Sequence, residues 1–415
     1  RWVSCERSRS GTVPWATPRS NKSGAAMGGA LDLGLYVHVP FCVSRCSYCD
    51  FHSGILDGER ARAWLDALSV HLAGLDLRFG KPSFGTLFIG GGTPSALPRP
   101  LLKRLLALLG PRIDASSPAR EASVEANPED IDQGFLALLE DAGVDRLSVG
   151  VQSLEDAARE RVNRRGKAAG TRAGLELLAA RWRGRSSADF MYGLPGQSAA
   201  GLAEDIRYAA GLGIGHLSLY ELTLADGSLL SSLVASGRER LPEADESADM
   251  YAAAREELER LGFRRYEISN WALPGQECRH NERYWNMESW LALGPSGSAT
   301  LRREGSFLRI DNAADDERYR ADPVGSASEY EVSGLDARFE YVMMGLRQRK
   351  GFGRDAYRRF FGDHPEDSFG GALGARPGLI EFSEGRYRPT ERGMDTLNAV
   401  LVDCLREAAR RKAKP

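Results

Sequence analysis

Short apolar runs alternate with longer amphipathic stretches between residues 35 and 262 of the sequence. The short runs have the length of strands and the long stretches have the period of helices, an alternation typical of βα units around a parallel sheet. Strands are predicted at 35–39, 86–90, 122–126, 146–152, 189–192 and 216–222. Helices are predicted at 61–77, 100–109, 131–142, 169–180, 199–212 and 244–261. Six such units predict an α/β fold with an open, partial (β/α)6 barrel over residues 31–262.

The pattern changes after the barrel. Residues 263–334 are predicted as a loop-rich extension with many aromatic residues, and residues 335–415 as a second, mostly helical domain. In that domain, helical periodicity over 337–348 and 390–409 flanks an extended pair at 379–387. This order of elements predicts a winged-helix-like unit.

The segment before the barrel, residues 1–30, is expected to be a disordered extension. Its first 26 residues are rich in Arg, Ser, Gly and Pro, contain the single acid Glu6, and lack the apolar core of a signal peptide. Met27 stands just ahead of the first periodic segment, so translation from an upstream start is a second interpretation. A transit peptide is a weaker third.

Composition narrows the class of protein. A chain of 415 residues exceeds the usual size of one compact core, which favours more than one domain. The net charge of −2 gives no basic excess, so we expect no nucleic-acid partner, and no apolar run approaches the length of a transmembrane helix. Only six cysteines occur, and three of them lie within eight residues, a distribution that favours metal binding over disulfides. We therefore expect a reducing compartment, the cytoplasm.

The three clustered cysteines, Cys42, Cys46 and Cys49, have the spacing C-x3-C-x2-C. Three thiolates can hold three irons of a [4Fe–4S] cluster and leave the fourth iron open for another ligand. Buried structural thiols are one alternative. A zinc site with His38 or His52 as the fourth ligand is another, although zinc sites usually show paired ligands separated by a longer arm.

Other chemically suited residues also follow predicted strands. The glycine-rich run at 90–94 ends the second strand, and Glu125 and Asn127 end the third. In barrels of this type the ligand site lies at the carboxyl ends of the strands, where the cysteine loop is also expected. The sequence therefore predicts one site at this end of the barrel.

The run Leu35-Tyr36-Val37-His38-Val39-Pro40-Phe41-Cys42, continued to Asp50-Phe51, resembles the radical-SAM signature of the branch that contains the oxygen-independent coproporphyrinogen III oxidases. The resemblance implies a radical-SAM barrel in which Cys42, Cys46 and Cys49 hold the cluster. The open iron would then bind S-adenosylmethionine (SAM), which this superfamily cleaves to a 5′-deoxyadenosyl radical. Cleavage chemistry would belong to the cofactors, and the protein would supply geometry and exclusion of water.

The same resemblance assigns residues to SAM. Glu125 would suit a ribose or an ammonium group, Asp189 would suit ribose hydroxyls, and Arg164 would pair the methionine carboxylate. The alternatives are plain strand-end acids and, for the tyrosines of this set, ordinary core aromatic residues. The arginine-rich segment 181–188 departs from the family and predicts a short or irregular fifth strand. The residues assigned in full are Tyr36, Tyr48, Gly91, Gly92, Thr93, Glu125, Gln152, Arg164 and Asp189.

Two features decide between members of this branch. The first is the end of the cluster motif: the oxidases have a further cysteine where this chain has Phe51. The second is a motif that matches the one associated with haem in HemW-type haem chaperones, His280-Asn281-Glu282-Arg283-Tyr284-Trp285. The resemblance thus implies haem binding by His280, Asn281, Tyr284 and Trp285, delivery of haem to acceptor apoproteins, and a possible homodimer. A buried histidine in an aromatic core is the alternative for His280, and coproporphyrinogen III oxidation is the alternative function.

Overall fold

The computed structural model describes residues 32–412, so the predicted extension at 1–30 lies outside the described residues. The first part of the chain alternates strands and helices as the pattern predicts. Asp57 begins the first long helix by accepting hydrogen bonds from the backbone N–H groups of Glu59 and Arg60. The elements are β1 (Leu33–Val39), β2 (Phe41–Cys42), β3 (Gly54–Ile55), α1 (Gly58–Phe79), β4 (Phe84–Gly91), α2 (Arg99–Leu109), β5 (Glu121–Ala126), α3 (Gln133–Asp141), β6 (Arg146–Gln152), α4 (Asp156–Arg161), α5 (Ala168–Arg181), β7 (Arg185–Tyr192), α6 (Ala199–Gly211), β8 (His216–Glu221), α7 (Leu229–Ala235) and α8 (Ala244–Arg260).

Strands β1, β4, β5, β6, β7 and β8 are neighbours in that order and all run parallel. This confirms the predicted six βα units. The fifth of these strands is not short, because β7 has eight residues and begins at Arg185. Its polar start is accommodated since Arg185 forms an ion pair with Glu121 at 3.0 Å and Ser187 Oγ lies 2.7 Å from His216 Nδ1.

The prediction of a loop-rich extension at 263–334 was wrong. The segment forms β9 (Arg264–Arg265), β10 (Asn270–Ala272), α9 (Arg279–Trp285), β11 (Trp290–Leu293), β12 (Ser298–Arg303), β13 (Ser306–Asp311), α10 (Asp316–Ala321) and β14 (Ser328–Val332). β10 and β9 extend the sheet beyond β8, while β11 to β14 extend it beyond β1, giving twelve strands. Strands of two to six residues are too short to show a clear period in the sequence.

The C-terminal domain has its own core, formed by residues such as Tyr341, Phe352, Tyr357, Phe369 and Val400. The predicted extended pair is present as a hairpin, with a third short strand beside it. The predicted closing helix is two helices, interrupted at Thr396. The elements are α11 (Gly334–Leu346), β15 (Phe352–Gly353), α12 (Arg354–Phe361), α13 (Pro365–Gly374), β16 (Ile380–Ser383), β17 (Arg386–Pro389), α14 (Glu391–Asp395) and α15 (Leu397–Lys412).

Within residues 32–412, every helix is too short or too polar to cross a membrane. The barrel core is continuous from β1 to β8 and includes apolar residues of the surrounding helices. The carboxyl ends of the parallel strands therefore meet on one side of a packed scaffold, and the loops that follow them form the candidate site.

Candidate functional site

The three clustered thiols lie on one loop at the carboxyl end of β1. Cys42 ends β2, and Cys46 and Cys49 follow in the next turn, all of them free and partly exposed. The backbone N–H of Ser47 donates to the carbonyl of Val162 at 2.9 Å and so ties this loop to the end of α4. The three sulfurs therefore lie on one loop at the mouth of the barrel, and this hydrogen bond anchors the loop.

Polar donors face two of the three sulfurs. Thr93 Oγ1 donates to Cys42 Sγ at 3.5 Å, and Arg164 Nη1 donates to Cys46 Sγ at 3.8 Å. Burial raises the pKa of Cys49, and the negative charges of Cys46 and Cys42 raise it further, which shows that the thiolates lie close enough to repel one another. Bound iron would relieve that repulsion, because its positive charge attracts the thiolates and keeps them deprotonated.

The geometry fits an iron–sulfur cluster better than zinc. In the part of the chain that the structure describes, no three His, Cys, Asp or Glu side chains are grouped to hold a single ion. His38 lies 3.0 Å from the Tyr36 hydroxyl and 2.7 Å from the carbonyl of His52, while His52 Nε2 lies 2.9 Å from Asp316. Both candidate zinc ligands are therefore engaged elsewhere, and three thiolates around a cubane, one on each of three irons, match the donor set.

The glycine run at the end of β4 lets this strand approach the cysteine loop closely. Gly91 has a φ of +109°, and a Cβ there would lie 2.6 Å from the His38 ring. A Cβ on Gly92 would lie 2.6 Å from the carbonyl oxygen of Phe41, the residue before the first cysteine. Thr93 N–H then donates to the same carbonyl at 2.7 Å. Glycine is needed at both positions because any side chain would push the two loops apart.

Two carboxyl groups line the barrel interior beside this run. Glu125 accepts a hydrogen bond from Gly91 N–H at 3.1 Å, and Asp189 accepts from Ser218 Oγ at 2.6 Å and Ser148 Oγ at 3.0 Å. Burial raises the pKa of both, and repulsion from Asp189 helps to raise that of Glu125 to about 8. At neutral pH Glu125 is therefore mostly protonated, and a positively charged ammonium group of a ligand would favour its ionised form, whereas a ligand hydroxyl would form a hydrogen bond with it.

The raised pKa of Glu125 predicts a pH dependence of stability. A carboxyl whose pKa is higher in the folded protein binds more protons there, so its contribution is fully present below pH 4.5 and is lost as the pH rises to about 8. Replacement Glu125→Gln should flatten this part of the decline in the free energy of unfolding, measured by urea denaturation at pH 5 and pH 8. Equal slopes in the two proteins would contradict the assignment.

Gln152 and Arg164 lie beside each other near the cysteine loop. Gln152 has a φ of +69° and sits at an irregularity in the pairing of β6 with β7. Arg164 donates to Asn127 Oδ1 at 2.8 Å and to the carbonyl of Gly150, besides its contact with Cys46. Most of its guanidinium is therefore already engaged, and it braces the ends of β5 and β6 against the cysteine loop.

The two assigned tyrosines occupy different environments. Tyr36 points into the barrel, where its ring stacks on Phe88 with centroids 6.3 Å apart and its hydroxyl reaches His38. Tyr48 packs against the apolar cluster of α4 and α7 and also hydrogen-bonds Cys46. Tyr36 can therefore contact a ligand inside the barrel, whereas Tyr48 supports the loop from outside.

His280 lies at the amino end of the strands, opposite the cysteine loop. Its backbone N–H donates to Glu121 Oε1 at 3.0 Å, so α9 covers the amino end of the barrel, which we call the floor of the barrel. Its side chain is fully buried: Nδ1 lies 2.8 Å from Thr86 Oγ1 and Nε2 lies 2.8 Å from the Tyr284 hydroxyl, while the ring stacks on Phe88. Both ring nitrogens thus have protein partners, and burial lowers the pKa of His280 to about 3.

The remaining motif residues point in different directions. The backbone N–H of Asn281 bonds the Cys278 thiol, and the half-buried Tyr284 packs edge-on against Trp290 with centroids 4.7 Å apart. Trp285 packs against the core of the C-terminal domain. Helix α9 therefore connects the barrel interior, where the Tyr284 hydroxyl meets His280, to the second domain, against whose core both Tyr284 and Trp285 pack.

Polar residues that the sequence analysis missed complete the barrel interior. Strands β5, β6, β7 and β8 each carry one buried serine, whose side chain faces the barrel interior near Asp189. The sequence contained a signal, since each of these strands carries a serine among its apolar residues. The four residues are Ser123, Ser148, Ser187 and Ser218.

A three-cysteine loop at the carboxyl end of a partial (β/α)6 barrel, with a glycine run and carboxyl groups beside it, defines the radical SAM class of proteins. In agreement, a model of the Radical SAM superfamily matches residues 36–209, and one of the HemN C-terminal domain matches residues 332–395. Membership of this class implies a [4Fe–4S] cluster and SAM as cofactors.

The chain is 32% identical to the heme chaperone HemW of Bacillus subtilis (strain 168), over 86% of this chain and 95% of that protein. It is also 32% identical to HemW of Escherichia coli (strain K12), over 76% of this chain and 82% of that protein. The chain therefore belongs to the HemW family of radical SAM proteins. Among solved structures, coproporphyrinogen III oxidase (HemN) from Escherichia coli has a TM-score of 0.76 and 22% identity over 90% of both chains, which shows a shared fold.

Proposed function

We propose that this protein is a haem chaperone, which binds haem and delivers it to acceptor apoproteins. The observation that carries the proposal is the complete motif from His280 to Trp285, on a helix that joins the barrel interior to the C-terminal domain. Imidazole is a standard axial ligand of haem iron, and aromatic rings pack well on a porphyrin. The names of the HemW relatives support the same function.

Ligation of haem by His280 requires a local rearrangement of α9. An iron at Nε2 would replace the hydrogen bond to Tyr284, while Nδ1 would keep its bond to Thr86 and fix the ring, as is usual for metal-bound histidine. Because the ring is fully buried, Tyr284 must move before a macrocycle can reach it. The proposal therefore includes a shift of Tyr284 on haem binding.

Replacement His280→Gln should lower haem affinity at least tenfold, because glutamine can keep both hydrogen bonds but is a poor iron ligand. The matched control is His71→Gln, since His71 is also buried and its Nδ1 lies 3.0 Å from a tyrosine hydroxyl, that of Tyr319. Haem titration followed by the Soret absorbance measures both. Equal affinities for wild type and His280→Gln would remove His280 from the haem site.

SAM is proposed to bind in the barrel mouth, between the cysteine loop and the carboxyl groups of Glu125 and Asp189. Both acids reach the partly open interior, and the glycine run leaves room for close approach. The proposed contact residues are Tyr36, Tyr48, Gly91, Gly92, Thr93, Glu125, Gln152, Arg164 and Asp189. For Tyr48 and Arg164 the proposed role is to support the site, given their existing partners.

The alternative of coproporphyrinogen III oxidation is disfavoured by Phe51. Its side chain is 63% exposed just after the cysteine loop, where the oxidases of this branch have a further cysteine, and a phenyl ring cannot replace a thiol. Anaerobic incubation with SAM, a reductant and coproporphyrinogen III should leave the substrate unchanged. Loss of two carboxyl groups per substrate molecule would overturn the chaperone proposal.

The proposed place of action is the cytoplasm, which the five free cysteines among the described residues support, because such thiols persist in a reducing compartment. The proposal allows a homodimer as the working form. Sedimentation of the haem-loaded protein measures that state directly.

A further inference from the structure

Unpartnered polar atoms gather in a cleft between the barrel and the C-terminal domain, on residues 265–270, 285–286 and 347–348. Among residues 32–412, eighteen buried side-chain nitrogen or oxygen atoms have no hydrogen-bond partner, and six of them belong to these three short segments. Such atoms are costly to bury and call for a ligand or water. The six atoms are Arg265 Nε, Glu267 Oε1, Asn270 Oδ1, Trp285 Nε1, Arg347 Nε and Gln348 Oε1.

The contacts between these segments show that they form one cleft, which we call the Arg347 cleft. Glu267 pairs with Gln348 in an isolated antiparallel bridge, and Gln348 Nε2 donates to Asn286 Oδ1 at 3.1 Å. The Arg347 guanidinium lies over the Trp285 ring, 5.8 Å from its centroid. The cleft therefore includes the last residue of the His280 motif and a cation supplied by the C-terminal domain.

Charge in the Arg347 cleft is only partly balanced by the protein. Arg265 forms an ion pair with Asp395 at 2.5 Å, whereas the Arg347 side chain makes no hydrogen bond or ion pair with residues 32–412, and Glu267 is the acid whose charge acts on it. Glu267 is only 1% exposed, and burial raises its pKa to about 7, so its negative charge is incomplete at neutral pH. A half-buried guanidinium beside an unpartnered indole N–H is an arrangement that an incoming carboxylate would complete.

We propose that the Arg347 cleft binds a carboxylate group of haem, with Arg347 and the Trp285 indole N–H as its donors. This inference rests on the proposed haem-chaperone function and extends it to a residue outside the sequence motif. Haem carries two carboxylates, and Trp285 would let one macrocycle contact both the motif and this cleft. The C-terminal domain thereby becomes part of the haem site.

The test compares haem with haem dimethyl ester, in which both carboxylates are masked, on the cluster-containing protein. Wild type should bind haem at least tenfold more tightly than the ester, because masking removes the partner of a desolvated cation. Arg347→Gln should lose at least tenfold in haem affinity and little in ester affinity, and Arg347→Lys should recover part of the loss. The control Arg349→Gln changes an exposed arginine two residues away that pairs with Glu391, and it should bind both ligands as wild type does.

Each outcome has a distinct meaning. If wild type binds haem but Arg347→Gln binds it equally well, the cleft holds only water and the inference fails while the chaperone proposal stands. If the wild-type protein does not bind haem at all, the chaperone proposal is wrong, and the inference that rests on it is wrong as well. Iron content and thermal unfolding of each variant show whether a loss of affinity reflects misfolding. A folded Arg347→Gln protein that prefers haem over the ester as strongly as wild type does would also overturn the inference.

Discussion

Replacing Cys46 with serine is expected to reduce iron and acid-labile sulfide from about four of each per chain to near background. The three thiols lie on one loop, and a cluster held there would have one protein ligand on each of three irons, so the loss of one thiolate would leave two irons without a protein ligand. Cys46 is also the thiol that Arg164 Nη1 faces at 3.8 Å, so its loss leaves a buried guanidinium without that contact. Anaerobic reconstitution followed by metal and sulfide analysis gives the result.

The matched control for this experiment is Cys404→Ala. Cys404 is buried in the core of the C-terminal domain and belongs to no element of the barrel, so this variant should keep its full iron content. Stoichiometric zinc without sulfide in wild type, or unchanged iron in Cys46→Ser, would contradict the cluster assignment.

Replacing Glu121 with alanine is expected to lower the free energy of unfolding by about 3–5 kcal/mol, the usual cost of removing one partner from a buried ion pair. Glu121 is fully buried, forms an ion pair with Arg185 at 3.0 Å, and accepts backbone hydrogen bonds from Arg279 and His280 at 3.1 and 3.0 Å. Its removal leaves the half-buried Arg185 with only Asp145 at 4.0 Å and the carbonyl of Glu277 as partners, and it leaves two N–H groups at the start of α9 without partners. The floor of the barrel should therefore open together with the His280 motif.

The pKa of Glu121 gives the same prediction a pH signature. Burial raises its pKa, but Arg146, Arg185 and the two backbone donors outweigh burial and lower it below the usual value. Its stabilisation is therefore present above about pH 4.5 and is lost as the pH falls through the lowered pKa.

Urea denaturation at pH 7 measures the main effect of Glu121→Ala, the fall in the free energy of unfolding. The exposed Glu304→Ala should change stability by less than about 0.5 kcal/mol, and an equally small effect of Glu121→Ala would contradict the role given to the floor.

The sequence predicted the barrel well because its strands are apolar, regularly spaced and followed by chemically distinctive loops. The strand at 146–152 has the observed bounds of Arg146–Gln152, and the convergence of the cysteine loop, Gly91 and Glu125 follows from the rule that parallel strands end on one side. The start of β7 was missed because Arg185 and Ser187 look like loop residues until their partners on β5 and β8 are known.

Long-range packing decided what the sequence could not predict. Helix α9 is held at the amino end of the barrel by Arg283, which donates to Asp32, and by Glu121, which accepts from the His280 N–H; His280 is buried there, opposite the cysteines. The contact between Trp285 and Arg347 joins positions far apart in the chain, so no local sequence pattern predicts it. The haem motif was visible in the sequence, whereas its burial and its C-terminal neighbour were not.

Transfer of haem to an acceptor protein is the direct test of the haem-chaperone function. Protein with its cluster reconstituted is loaded with one equivalent of haem, freed of excess, and mixed with an apo haem protein whose holo form has a distinct absorbance spectrum. The acceptor should gain haem as this protein loses it, and His280→Gln should carry less haem into the reaction. Failure of the wild-type protein to retain haem, or to release any of it to an acceptor, would contradict the haem-chaperone function.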